Sequence, residues 1–321
     1  MKEYLAHIEK ELSAYNFGSR PAELYDPIRY VLALGGKRIR PVLTLMASEL
    51  FCGDFSKAVY PALAVEVFHN FTLLHDDIMD KAPLRRGQAT VHEKWNDNIA
   101  ILSGDVMLIR AYELFLKSDH PELKLILRKF NKCAVEVCEG QQLDINYETA
   151  ASVSEEEYIE MIRLKTAVLL AFSLELGAIL GGAKQEYCEQ LYNFGINIGL
   201  GFQLKDDLLD VYGAADKFGK QVGGDIISNK KTYLLIKARE QAKGDTLREL
   251  EHWLNLKNFD PVEKVASVKA IYEKLGIREL GEQKMNRYFD SAMNTLDELI
   301  IVNERKQPLF TLATSLIDRE K

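Results

Sequence analysis

With 321 residues, 47% of them hydrophobic, the chain can form one large domain or two ordinary ones, with ample apolar material for a core. A formal net charge of −7 excludes a general nucleic-acid binder held by phosphate contacts, so any anionic partner must be gripped by a local basic cluster or through metal ions. Cys52, Cys133, Cys138 and Cys188 form no CxxC and have no His at a zinc-like spacing, which reads as buried, reduced thiols in a cytoplasmic protein.

In chain order, MKEYLAHIEKELSAY alternates charge with apolar residues and lacks the apolar centre of a signal peptide. Pro21, Pro27, Pro41, Pro61, Pro83 and Pro121 mark breaks. Between them apolar residues recur every three or four positions, as in YPALAVEVFHNFTLLHD and EEEYIEMIRLKTAVLLAFSLEL, which predicts helices. Ser154 followed by Glu157 carries a capping-box signature. The apolar run TAVLLAFSLELGAILGGA is interrupted by Glu175 and punctuated by Gly177, Gly181 and Gly182, so it reads as a core helix rather than a transmembrane segment. Strand-like alternation is nearly absent, and no Ser/Gly/Pro-rich linker divides the chain. The expectation is an all-α protein with residues 1–321 in one domain.

Two segments, LLHDDIMD and FQLKDDLLD, write DDxxD behind apolar runs. On a helix, residues four apart share a face, so Asp76 lies above Asp80 and Asp206 above Asp210. Asp77 and Asp207 lie about 100° away around the axis. An acidic helix end is commonly just solvated. Here, however, both clusters are anchored by apolar turns, aspartate is a poor helix former, and carboxylates at a helix C-terminus oppose the macrodipole. Bound cations offset that cost. Hard oxygen ligands without thiolate or His point to Mg²⁺, with Mn²⁺ as a substitute, and to a phosphate-bearing substrate. Basic residues keep company with the acidic motifs: Lys37, Arg38 and Arg40 behind Gly35-Gly36; Arg85 and Arg86 after the first DDxxD; Lys165 beside Thr166; Lys220, Lys230 and Lys231 after the second. Each alone reads as a solvated surface charge, but together they suit a diphosphate.

The ordered set GGKRIRP, HDDIMD, LRRG, GQQLD, KT, GFQLKDDLLD, FGK and NKKT resembles the trans-isoprenyl diphosphate synthases, the polyprenyl synthetase family, over nearly the whole chain. The resemblance implies a single bundle of long helices around a deep central cavity, usually paired as a homodimer. It also implies head-to-tail condensation of isopentenyl diphosphate with an allylic diphosphate, and three Mg²⁺ ions. Asp76 and Asp80 would be the main ligands of two ions with Asp77 assisting, and Asp206 would hold the third with Asp207 and Asp210 in support. Arg85, Lys165, Lys220 and Lys230 would bind the allylic diphosphate, although Asn229 replaces the glycine usual before Lys230. Lys37, Arg40, His69 and Arg86 match the metal-free isopentenyl diphosphate site, and Thr166 and Gln203 would stabilise an allylic carbocation. Gln141, Gln142 and Asp144 either face the cavity or pack as polar residues of a core helix.

In this family a bulky residue four or five positions before the first aspartate floors the cavity. Thr72 and Phe71 stand there, with Phe68 three residues earlier; ordinary core aromatics are the alternative reading. The pattern resembles geranylgeranyl-type (C20) enzymes, then farnesyl-type (C15). A terpene cyclase would carry N/D-x-x-S/T-x-x-x-E as its second motif, and a non-catalytic regulatory partner of a synthase would typically lose one DDxxD. In the terminal LIDREK, Arg319 or Lys321 would fold over the isopentenyl site.

Overall fold

The computed structural model describes residues 1–213 and 223–317. They form an all-α protein, joined by one two-stranded ribbon. The chain divides into two compact units that alternate along the sequence: Met1–Cys133, Leu169–Tyr192 and Leu299–Leu309 form the first; Ala134–Val168, Asn193–Glu298 and Phe310–Lys321 form the second.

The first unit begins with α1 (Lys2–Ala14), α2 (Ala22–Ala33), α3 (Ile39–Cys52) and α4 (Val59–Met79). The ribbon β1 (Leu84–Arg85) and β2 (Gln88–Ala89) follows, then α5 (Val91–Lys94) and α6 (Asp97–Leu116). From Ala62 to Phe68 every residue of α4 is buried, because its apolar positions run all round the helix rather than along one stripe. Asn96 caps α6 by accepting from the Ile99 N–H at 2.9 Å. Helix α6 packs along α4. Gly104 makes the close approach possible, since a Cβ there would stand 2.3 Å from His75 Nε2. An aromatic cluster of Phe68, Phe115, Phe130 and Phe172 fills this core, with ring centroids 4.7–6.3 Å apart in the contacting pairs. The apolar helix α9 (Val168–Leu180) lies in this core, and its Glu175 is held by Lys129 at 2.6 Å.

The second unit takes α7 (Leu123–Thr149) from Ala134 on, α8 (Glu155–Ile162), a π-helical turn at Arg163–Ala167 and α10 (Gln185–Tyr212) from Asn193 on. It adds α11 (Gly224–Ile227), α12 (Tyr233–Gln241), α13 (Gly244–Asn255), α14 (Pro261–Lys274) and α15 (Ile277–Glu298). Helix α16 (Asn303–Ile317) closes the described chain. Ser154 and Glu157 form the expected capping box on α8. Leu204, Leu208, Leu234, Leu235, Ile271 and Ile277 are core residues here.

Three expectations need correction. Pro27 lies inside α2, and Pro41 and Pro61 sit in the first turns of α3 and α4, where a missing N–H costs nothing. LRRG forms a ribbon that apolar alternation does not announce, because it is only two residues per strand. Cys133 and Cys188 are buried as expected, but Cys52 and Cys138 are exposed; none of the four is in a disulfide. Among the described residues no helix is long and apolar enough to cross a membrane.

Candidate active site

In the first unit, α4 ends on the first acidic motif. Asp76 is partly buried, Asp77 is 3% exposed and Asp80 is exposed. Asp77 therefore turns deepest into the protein, Asp76 keeps one oxygen buried, and only Asp80 stays at the surface. Arg85 grips it: Nε donates to both carboxylate oxygens at 2.7 and 2.9 Å, and Nη2 lies 2.6 Å from Oδ1 and 3.7 Å from Asp76 Oδ2. Burial pushes the Asp77 carboxyl above its ordinary pKa, with Arg85 opposing. The ribbon brings Arg85 there. Its turn residues Arg86 and Gly87 have φ of 54° and 76°, the positive pair of a two-residue hairpin turn.

The basic loop before α3 belongs to the same unit. Gly36, at φ 137°, lies so close to the Arg86 guanidinium that a Cβ would stand 2.8 Å from Nη2. Arg40 Nη1 is 3.1 Å from His69 Nε2, and Arg40 Nε is buried with no partner. Burial drives the His69 pKa well below its ordinary value, with Arg40 and Arg86 adding to the effect, so the imidazole is neutral near pH 7 and accepts from Arg40. Burial also lowers Arg40 and Arg86. Lys37 is exposed. This cluster is a concentration of positive charge whose cost an anion would relieve.

Arg38, between Lys37 and Arg40, behaves differently. It is 3% exposed and donates Nη1 to Glu66 at 2.7 Å, Nε to Glu9 at 2.8 Å and Nη2 to the Leu32 carbonyl. It is a structural cation.

Phe71 is partly buried, its ring 5.7 Å from Phe68 and 4.8 Å from His75. Phe68 is 1% exposed and packs on Phe130 at 5.0 Å. The Thr72 hydroxyl donates to the His69 carbonyl at 2.8 Å.

In the second unit, α10 carries the second motif. Asp206 and Asp210 are partly buried, and Asp207 is 4% exposed. The Tyr158 hydroxyl donates to Asp207 Oδ2, and Gln203 Nε2 donates to Oδ1 at 3.3 Å. Thr166 Oγ1 in turn donates to Gln203 Oε1 at 3.3 Å. Burial pushes the Asp207 carboxyl up to about 8, with nearby Asp225 adding, and raises the Tyr158 phenol well above its ordinary value. Asp210 Oδ2 accepts from the Asp225 N–H at 3.0 Å. Lys165 lies in the π turn and donates to Asp144 Oδ2 at 2.6 Å, while Lys230 Nζ is 3.5 Å from the same oxygen. Burial would raise Asp144, but Lys230 and Lys165 outweigh it and hold the carboxyl below its ordinary range. Gly140 lets α7 touch this turn, since a Cβ there would stand 2.2 Å from Lys165 N. Lys220, Arg319 and Lys321 lie outside the described residues.

The family motifs name both Arg40 and His69, which the structure brings to 3.1 Å. The spacing arguments find Asp76 with Asp80 and Asp206 with Asp210. They miss Asp144 as the shared partner of two lysines, and Tyr158 altogether. GQQLD carried the only signal for Asp144, and its polar residues fitted core packing equally well.

Among the described residues no group of three or more His, Cys, Asp and Glu side chains is gathered as a ready cation cage. The donors come in twos, Asp206 and Asp210 on α10, Asp76 on α4 with Asp80 as its C-cap. That fits Mg²⁺, which takes one or two protein carboxylates and completes its shell with substrate oxygens and water.

The polyprenyl synthetase family model matches residues 21–275. The chain belongs to that family. It is 39% identical to geranylgeranyl pyrophosphate synthase of Geoglobus acetivorans over 94% of this chain and 92% of that protein. It is likewise 39% identical to geranylgeranyl diphosphate synthase of Methanosarcina mazei, over 78% of this chain and 81% of that protein. The crystal structure of a geranylgeranyl pyrophosphate synthase superposes with a TM-score of 0.95 at 45% identity, covering 100% of this chain and 99% of that one. This polyprenyl synthetase is therefore an all-α prenyltransferase of isoprenoid biosynthesis that extends prenyl chains.

Proposed function

We propose that the protein, working as one synthase over residues 1–321, condenses isopentenyl diphosphate with an allylic diphosphate to give geranylgeranyl diphosphate, with farnesyl diphosphate the next choice. The observation that carries this is the repeated arrangement at the two acidic motifs, together with the basic cluster of Arg40, His69 and Arg86. At each motif the middle aspartate is the most buried of the three. Asp76, Asp80, Asp206 and Asp210 would hold Mg²⁺. When bound, Mg²⁺ neutralises the allylic diphosphate and the departing pyrophosphate. Lys165 and Lys230 would exchange Asp144 for diphosphate oxygens, and Arg85 would add charge from its place against Asp76. Lys37, Arg40, His69 and Arg86 would hold isopentenyl diphosphate; Arg40 Nε supplies a donor with no protein acceptor. The allylic C–O bond breaks, the isopentenyl double bond attacks C1, and the proton goes to pyrophosphate. Thr166 and Gln203 would present oxygen atoms to the carbocation.

Incubation with isopentenyl diphosphate and dimethylallyl, geranyl or farnesyl diphosphate, with Mg²⁺ or chelator, tests this reading. A Mg²⁺-dependent C20 product is expected. No product from any starter would replace it with the regulatory-partner reading. Phe71→Ala should lengthen the product by at least one five-carbon unit, since it removes the ring beside Phe68 and His75. An unchanged product distribution would sink the floor assignment.

The homodimer has its own support. Leu102, Ile109 and Leu116 on α6 are 57–59% exposed and seven residues apart, so they form one apolar stripe along the helix. Ile109→Asp should convert the dimer to monomer in sedimentation without lowering the melting temperature of the monomer. A wild-type monomer would discard the dimer.

A further inference from the structure

Tyr158 has no part in the scheme above, yet it is 1% exposed and its hydroxyl is spent on a residue of the second acidic motif. Asp207, its acceptor, is 4% exposed and receives a second protein donor, Gln203 Nε2, on its other oxygen at 3.3 Å. Gln203 is itself held by the Thr166 hydroxyl at 3.3 Å, and Thr166 follows Lys165 in the π turn. A continuous hydrogen-bonded chain therefore runs from the π turn through Gln203 to Asp207 and on to α8. Both Asp207 oxygens are engaged inside the protein, about 100° around α10 from the face shared by Asp206 and Asp210. The first motif repeats this logic with other chemistry: Asp77, 3% exposed, has both oxygens taken by Arg85.

We propose that Tyr158 is a positioning residue: by locking Asp207, it sets the rotation of α10 that presents Asp206 and Asp210 together, and Asp207 is an anchor rather than a metal ligand. This rests on the synthase reading of those two outer aspartates. The physical case is one of satisfaction. A buried carboxyl group needs both oxygens bonded, and pinning the middle aspartate on one side resists a roll of its helix. Without the phenol, the Oδ2 of Asp207 loses its donor in a dry interior. The carboxyl group would then turn toward water, on the side where Asp206 and Asp210 lie, and the outer pair would lose its shared alignment. Aromatic packing alone would make phenylalanine an adequate replacement.

Tyr158→Phe, Asp207→Asn and the double variant decide the matter. Mg²⁺ binding in the presence of pyrophosphate is read by calorimetry, alongside the Mg²⁺ dependence of turnover, KM for isopentenyl diphosphate and thermal melting. Tyr158→Phe is expected to weaken Mg²⁺ by about 10–100-fold, the usual cost of losing a partner that orients a metal site. KM for isopentenyl diphosphate should stay unchanged. Asp207→Asn should match it, and the double variant should add little, because both remove one coupled contact. Unchanged Mg²⁺ affinity with a lowered melting temperature would make Tyr158 merely structural and overturn the proposal. So would loss of Mg²⁺ binding in Asp207→Asn alone, which would make Asp207 a direct ligand. Should Tyr158→Phe fail to fold, Gln203→Leu removes the other donor and takes the same calorimetric test. A wild-type protein that binds Mg²⁺ and pyrophosphate but forms no prenyl product would end the synthase reading, while the calorimetric comparison would still decide Tyr158.

Discussion

Asp206→Asn should lower kcat/KM by about 10²–10³-fold, at saturating isopentenyl diphosphate, while the protein stays folded. Asp206 is partly buried on α10, and the core neighbours Leu204 and Leu208 are untouched by an isosteric change. In the proposed reaction, what is lost is one of the carboxylates that would hold the cation neutralising the departing pyrophosphate. Removing one preorganised electrostatic contact from such a place typically costs about 10²–10³ in rate, and a cation held by few carboxylates depends on each of them heavily. Steady-state kinetics over a Mg²⁺ series, with a melting curve as control, provides the check. High Mg²⁺ should recover part of the loss. Near-wild-type activity at low Mg²⁺ would remove the second motif from the metal site.

Arg38→Ala should destabilise the first unit by about 3–5 kcal/mol, the cost of stranding a buried charge. The Arg38 side chain is 1% exposed and that of its partner Glu66 3% exposed, whereas that of Glu9 is 45% exposed and its arm contributes little. Without Arg38, Glu66 keeps the Asn70 amide at 2.9 Å but loses its counter-charge. Denaturant titration measures the loss. Because GGKRIRP reads as a substrate-binding loop, the informative contrast is kinetic: the folded fraction of Arg38→Ala should retain its KM for isopentenyl diphosphate, whereas Arg40→Ala should raise it. Arg38→Met with Glu66→Leu should recover most of the stability, since a hydrophobic pair replaces a buried ion pair at little cost. A stable Arg38→Ala protein with a raised KM would make Arg38 a ligand instead of a structural cation.

Much was legible in the sequence because it depends on local periodicity. The three- and four-residue recurrence of apolar side chains specifies helices wherever it runs. The i, i+4 spacing puts Asp76 with Asp80 and Asp206 with Asp210 on shared faces before any packing is considered. Ser154 and Glu157 cap α8 through contacts three residues apart, so that helix start was readable too. The family resemblance came from the order of short motifs, which survives without knowledge of any contact.

Partner choice was decided by the tertiary structure alone. Lys37, Arg38 and Arg40 look alike as a string, yet only the packing of α3 on α4 buries Arg38 against Glu66. Nothing local tells Asp77 that Arg85 will close on it, since that depends on a hairpin turn with two positive φ values. Asp207 meets Tyr158 across 49 residues of sequence, and Asp144 meets Lys165 across 21. Helical period determines which face a side chain occupies. Which charge or hydroxyl waits opposite that face depends on how helices distant in sequence pack, and a buried polar group accepts only the partner that packing brings within hydrogen-bond reach.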